Sequence, residues 1–213
     1  AELQDQLLRL SEVIRIERPR TAPLSSAREH YERLLEASRQ RRKIRLRYES
    51  LYEQQVIRTL VSPYTILFKR HAWYVLGRSS LHRAVRTFHV GRILESELTD
   101  DTFELPPRFS IKRHFGKAWS MVREKKARHR VTVRFQPLVA RNVADVIWHP
   151  SQQIAWNDDG TMDYSVEVDG LREMSWWIMG YADQAEVLEP DEMRELIAER
   201  VRKMSVLYRK RRT

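Results

Sequence analysis

Apolar and polar residues alternate with a period of two through much of the stretch from Arg42 to Ile93, and with a period near 3.6 on either side of it. At the start, Leu3, Leu7, Leu8, Leu10, Val13 and Ile14 predict a helix over Glu2 to Ile16, and Arg18, Pro19, Arg20 and Pro23 break it into a linker. A second helix is predicted to about Gln40, capped by Ser25 or Ser26 with Glu29 in a capping box, and burying Ala27, Tyr31, Leu34, Leu35 and Ala37. RKIRLRYES then places Ile44, Leu46 and Tyr48 on one side of a half-buried strand and Arg45, Arg47 and Glu49 on the other. Gln55–Tyr64, Thr65–Phe68, His71–Arg78 and Arg83–Ile93 continue the strand rhythm, with Lys69-Arg70 and Ser79-Ser80 as turns. One helix followed by five short, bent strands predicts a small SH3-like or Sm-like β-barrel.

The pattern changes after Ile93. Glu95 to Pro107 is acidic, ends in two prolines and is read as a boundary. Short helical turns are expected around Phe109, Phe115, Trp119 and Met121, and REKKARHR at 123–130 as a charged connector. Strands at Val131–Phe135, Gln152–Trp156, Tyr164–Val168 and Glu186–Leu188 interleave with helices at Ala140–Ile147 and Leu171–Met179, and a last helix covers Asp191–Tyr208. Asn157-Asp158-Asp159-Gly160 makes the hairpin turn. The order β-α-β-β-α-β is that of a ferredoxin-like fold. The expected class is therefore α+β, with a helix and linker over 1–24, a barrel domain over 25–107, a connector over 108–130 and a ferredoxin-like domain over 131–213.

Charge sharpens this division. The 213 residues carry a formal charge of +10, but Arg39 to Ile93 holds thirteen Lys/Arg against two acids, whereas Arg130 to Glu199 holds five against fourteen. A concentrated positive field of this kind attracts nucleic acid or other polyanions; a solvated basic face without a ligand is the alternative. No stretch reaches the ~18 uninterrupted apolar residues of a membrane span, and a soluble cytoplasmic protein is expected. The absence of cysteine removes disulfides, thiolate metal sites and cysteine nucleophiles.

Within the basic stretch, aromatic residues and cations interleave along strands, as a flexible anionic polymer of stacked bases requires. Period two puts Tyr74, Leu76 and Arg78 on one face of their strand, with Trp73, Val75 and Gly77 on the other. Arg86, Phe88, Val90 and Arg92 share a face of the next, opposite Thr87, His89 and Gly91. Phosphates would be neutralised by Arg78, Arg86 and Arg92, and bases stacked on Tyr64, Tyr74 or Phe88. Trp73 has a second reading as core, and Arg78 and Arg86 as ion-pair partners of Glu95 and Glu97.

Ser62-Pro63-Tyr64, Trp73-Tyr74-Val75-Leu76-Gly77 and Val85-Arg86-Thr87-Phe88-His89-Val90-Gly91-Arg92-Ile93, in this order, resemble the WYL domain of bacterial transcriptional regulators. Val75 departs from the Trp-Tyr-Leu triplet that names the family. The resemblance covers about Tyr31 to Phe103 and implies an Sm-like barrel that senses nucleic acid or nucleotides, with ligand-facing roles for Tyr64, Tyr74, Arg78, Arg86, His89 and Arg92. Arg86 and His89 fall on opposite faces of a regular strand, so a bulge at Gly91 or contact at a strand end is needed to use both. Trp176, Trp177, Gly180 and Glu189-Pro190 resemble the C-terminal extension that accompanies WYL domains and is associated with dimer contacts. The family carries a helix-turn-helix domain ahead of the barrel, and Glu2–Ile16 is read as what remains of that connection.

Catalytic signatures are missing: there is no Gly-x-Gly-x-x-Gly, Gly-Lys-Ser/Thr phosphate loop, His-Glu-x-x-His or Gly-x-Ser-x-Gly. Asp158, Asp159 and Asp163 lack the closing glutamate of a calcium loop. No enzymatic activity, cofactor or metal is expected. The expected function is the ligand-sensing region of a transcriptional regulator, binding single-stranded DNA or another nucleotide ligand and acting as a homodimer. The alternatives are a protein-docking or dimerisation module and a sensor of a small nucleotide messenger.

Overall fold

The structure is a computed structural model and describes residues 27–122, 124 and 128–209. The predicted helix over Glu2–Ile16, its linker and the Ser25 and Ser26 caps lie outside the described residues. The chain divides into two compact units between Pro107 and Arg108, each with its own sheet. The class is α+β.

In the first unit, helix α1 (Arg28–Gln40) is followed by strands β1 (Arg42–Ser50), β2 (Gln55–Lys69), β3 (Ala72–Ser79), β4 (Ala84–His89) and β5 (Ile93–Thr102). The sheet order is β4-β3-β2-β1-β5, with every ladder antiparallel. Among the described residues β4 and β5 do not pair, so the sheet is open and does not close into a barrel. Leu34 and Ala37 of α1 pack with Ile44, Leu46, Val61, Val75, Phe88 and Ile93 on one face of this sheet. Burying each large aliphatic or aromatic side chain there contributes roughly 1.5–3 kcal/mol. Leu35 was expected in this core but is 40 % exposed, because the helical stripe that faces the sheet runs through Leu34 and Ala37.

Two strand assignments differ from the sequence reading. Gln55–Phe68 is one long strand rather than two, bent where Tyr64 forms a bulge between the Pro63–Gly77 and Thr65–Leu76 pairs. The acidic segment read as a boundary from Glu95 supplies most of β5. Its carboxylates are cross-strand partners: Glu95 pairs with Arg47 at 2.9 Å, Glu97 with Arg45 at 2.7 Å and Asp100 with Arg42 at 2.7 Å. Alternation of charge here reflects complementarity between strands, a signal invisible when β5 is read alone.

The second unit contains α2 (Ile111–Phe115), β6 (Arg128–Phe135), α3 (Pro137–Ala144), β7 (Gln153–Trp156), β8 (Met162–Asp169), α4 (Arg172–Met179), β9 (Ala185–Glu189) and α5 (Asp191–Arg209). Its sheet order is β7-β8-β6-β9, all antiparallel. Val131, Val133 and Phe135 of β6 alternate into a core with Tyr164, Met174, Ile178 and Met193. Strand β6 begins three residues before the predicted start, inside the basic stretch read as a connector.

Candidate ligand-binding face

Helix α1 covers one face of the first sheet, and register decides which of the candidate side chains remain on the other. Directly paired residues of an antiparallel ladder project to the same side. Val75 pairs with Phe88, both in the core, so the pairs Tyr74–His89 and Arg78–Val85 project to the opposite face, while Gly77–Arg86 projects to the core side. The pattern therefore brings Tyr74, Arg78 and His89 together and sends Arg86 away from them.

His89 ends β4, and Val90–Arg92 turns into a single 3-10 segment. This turn, instead of the anticipated bulge at Gly91, releases Arg92 from strand alternation and leaves it in the electrostatic neighbourhood of His89. The His89 ring meets Tyr74 edge-to-face at 5.1 Å between centroids. It also lies over Gly91, where a Cβ would come within 3.1 Å of Cε1. The His89 backbone N–H donates to Tyr48 Oη at 3.2 Å, while its Nδ1 is buried without a hydrogen-bond partner. Burial lowers the His89 pKa below its ordinary value, and the charge of Arg92 acts in the same direction. Free His89 is therefore predominantly neutral at neutral pH.

Tyr64 is buried to 8 % exposure beside Phe103, ring centroids 5.8 Å apart, so its ring is not an open platform for a base. Burial raises its pKa, and the positive charge of Arg78 opposes the shift. Phe88 is corrected more sharply. At 2 % exposure and edge-to-face with Tyr48 at 5.1 Å, it is core and cannot stack a ligand. Trp73 takes its core reading, half-buried against Tyr31 at 4.9 Å and Phe68 at 5.1 Å.

Arg78 and Arg86 do not pair with Glu95 and Glu97, whose carboxylates hold Arg47 and Arg45. Among the described residues Arg78, Arg86 and Arg92 form no ion pair. On the far side, Arg86 neighbours a polar network that sequence reasoning missed. Thr59 Oγ1 meets Ser79 Oγ at 2.8 Å, Ser79 Oγ meets His82 Nδ1 at 2.8 Å, and His82 Nε2 meets Glu53 Oε1 at 2.6 Å. The hydrogen bond from His82 holds the Glu53 carboxyl below its ordinary range, with the field of Arg86 adding to it. Ser79 is fully buried, so this relay fastens the β1–β2 loop to the β3–β4 turn and offers no reachable nucleophile. The seryl-histidyl spacing Ser79-x-x-His82 was the only trace of it in the sequence.

Two domains on open antiparallel sheets, the first with a basic and aromatic face left uncovered by its own helix, define the class. Residues 29–98 match the WYL domain and residues 127–205 the WCX domain. The chain thus carries a WYL domain followed by a WCX domain. Comparison with curated proteins gives no match. Among solved structures, proteasome accessory factor B/C (PafBC) of Arthrobacter aurescens is 18 % identical, with 84 % of this chain and 27 % of that chain covered and a TM-score of 0.38. A CRISPR Cas-related protein is 11 % identical, with 89 % of this chain and 54 % of that chain covered and a TM-score of 0.53. The second likeness is one of fold. This chain thus spans about a quarter and about half of those two proteins.

Proposed function

We propose that this chain is the ligand-sensing region of a bacterial transcriptional regulator, and that its WYL unit binds single-stranded DNA on the face carrying Tyr74, Arg78, His89 and Arg92. One observation carries the reading: Arg78, which forms no ion pair among the described residues, shares with the Tyr74–His89 ring pair the sheet face that α1 leaves uncovered, and Arg92, likewise without an ion pair there, lies in the electrostatic neighbourhood of His89. Phosphates are attracted to Arg78 and Arg92, and a base stacks on Tyr74, for which ~1–3 kcal/mol per base is typical. His89 joins when a bound phosphate favours its charged form. The strand orders support reading the first unit as an opened Sm-like barrel and the second as ferredoxin-like. Ligand binding changes regulation only if the ligand prefers one arrangement of the regulator to another.

The test is a fluorescence anisotropy titration with a labelled single strand, the matching duplex and a cyclic dinucleotide, each at two salt concentrations. Single-strand binding whose logarithm falls with log[salt] at about −0.7 per neutralised phosphate supports the proposal. Tight binding of the cyclic dinucleotide alone replaces it with a nucleotide-messenger sensor, and no binding to any of the three leaves a protein-docking face.

A further inference from the structure

The second unit is acidic along most of its length, and several of its arginines are committed to carboxylates. Arg134 pairs with Asp163 at 2.8 Å, Arg194 with Glu186 at 3.6 Å and Arg128 with Asp169 at 3.9 Å. Arg172 and Arg200 break this pattern. Arg172 opens α4, Arg200 lies on α5, and the two helices pack against each other. Neither guanidinium forms an ion pair among the described residues.

The nearby acids are occupied elsewhere. Glu173 receives the backbone N–H groups of Ser120, Met121 and Val122, Glu124 Oε1 receives the backbone N–H of Arg172 at 3.3 Å, and Glu199 holds Lys203. The Arg200 guanidinium lies 3.9 Å from the centre of the Trp176 ring, and its Nη1 is buried with no hydrogen-bond partner. Trp176 itself is 66 % exposed. Burial lowers the Arg200 pKa and repulsion from Arg172 adds to the shift, while the Glu199 carboxylate opposes it. Two like charges that form no ion pair among the described residues, one of them with an unused donor and stacked on an exposed indole four residues along α4 from the other, are arranged for an anion that also presents a flat ring.

We propose that Arg172, Trp176 and Arg200 form a nucleotide site in the WCX unit, the guanidiniums holding a phosphate and the exposed indole surface stacking the base. Nothing in this site draws on the WYL face, so the two stand or fall separately. The guanidinium fork matches a phosphate in two-point geometry, and a bound oxygen supplies the acceptor that Arg200 Nη1 lacks. Trp176 then contributes as an aromatic platform whose one side is already occupied by a cation.

The site is tested on the full chain carrying ¹⁵N-labelled tryptophan, whose six indole N–H resonances are followed by NMR, with that of Trp176 assigned from Trp176→Phe. Titration with adenosine 5′-monophosphate is expected to shift the Trp176 resonance saturably. Adenosine should bind at least tenfold more weakly, inorganic phosphate also more weakly, and both Arg200→Gln and Arg172→Gln should weaken the nucleotide at least fivefold. Arg78→Gln, on the WYL face, should leave the Trp176 titration unchanged. A Trp176 resonance that does not move, that responds equally to adenosine and its monophosphate, or that titrates identically in Arg200→Gln overturns the proposal. Equal affinity for inorganic phosphate and the nucleotide overturns the role given to the base.

Discussion

Tyr74 and His89 meet because their strands pair in register, and that single contact determines which chemistry the WYL face can offer. Burial and the charge of Arg92 hold the His89 pKa below its ordinary value, and an arriving anion favours the charged form. The sign follows from linkage: a bound phosphate raises the His89 pKa above its depressed value in the free protein, so binding takes up a proton. Affinity for a single strand is expected to rise as pH falls from about 7.5 toward about 5.5, across the ordinary range of histidine titration. Affinity measured over that range should lose this extra dependence in His89→Gln; an unchanged slope removes His89 from the site. Phe88 belongs to stability instead. Phe88→Ala should cost about 3–5 kcal/mol in urea unfolding, as truncation of a buried aromatic does, and a change below 1 kcal/mol would contradict its core placement.

At the scale of elements, Gly77 shows why the strands sit as they do. A Cβ at that position would come within 2.5 Å of Ser62 O and 2.6 Å of Val61 Cγ1, so β2 and β3 approach closely beside the Tyr64 bulge. Gly77→Ala should therefore destabilise the first unit by about 1–3 kcal/mol, the usual cost of overpacking, read as a lowered urea midpoint. Most strands were legible from alternation, since Ile44, Leu46 and Tyr48 or Val131, Val133 and Phe135 mark a buried face at every second residue. Strand β5 was not, because its outward acids look like a linker until Arg42, Arg45 and Arg47 stand opposite them. The site was legible in part. Alternation already put Arg86 and His89 on opposite faces, but only the pairing of β3 with β4 reveals that Arg86 and Phe88 follow Val75 to the covered side. The Ser79–His82–Glu53 relay joins two separate loops and left no periodic trace.

Across the whole molecule, the positive charge is less free than the sequence count suggests. Arg42, Lys43, Arg45 and Arg47 face the acids of β5, and exposed pairs of this kind contribute only ~0–1 kcal/mol each to stability. Their consequence is to cancel field over β1, whereas Arg78, Arg86 and Arg92 form no ion pair among the described residues. In the second unit, α5 leaves Val201, Met204, Leu207 and Tyr208 exposed at helical spacing. We propose this stripe as the contact of the homodimer expected from the sequence, so that Met204→Lys with Tyr208→Lys should convert dimer to monomer in sedimentation equilibrium. A parent chain that sediments as a monomer at micromolar concentration would end that assignment. The central claim concerns which side of the first sheet meets the ligand, and one comparison reaches it: the affinity of Arg78→Gln and Arg86→Gln for the same labelled single strand at low salt. The account predicts a loss of about tenfold for Arg78→Gln, with one fewer phosphate in the salt slope, and less than a twofold change for Arg86→Gln. Equal losses, or a loss confined to Arg86→Gln, would contradict it.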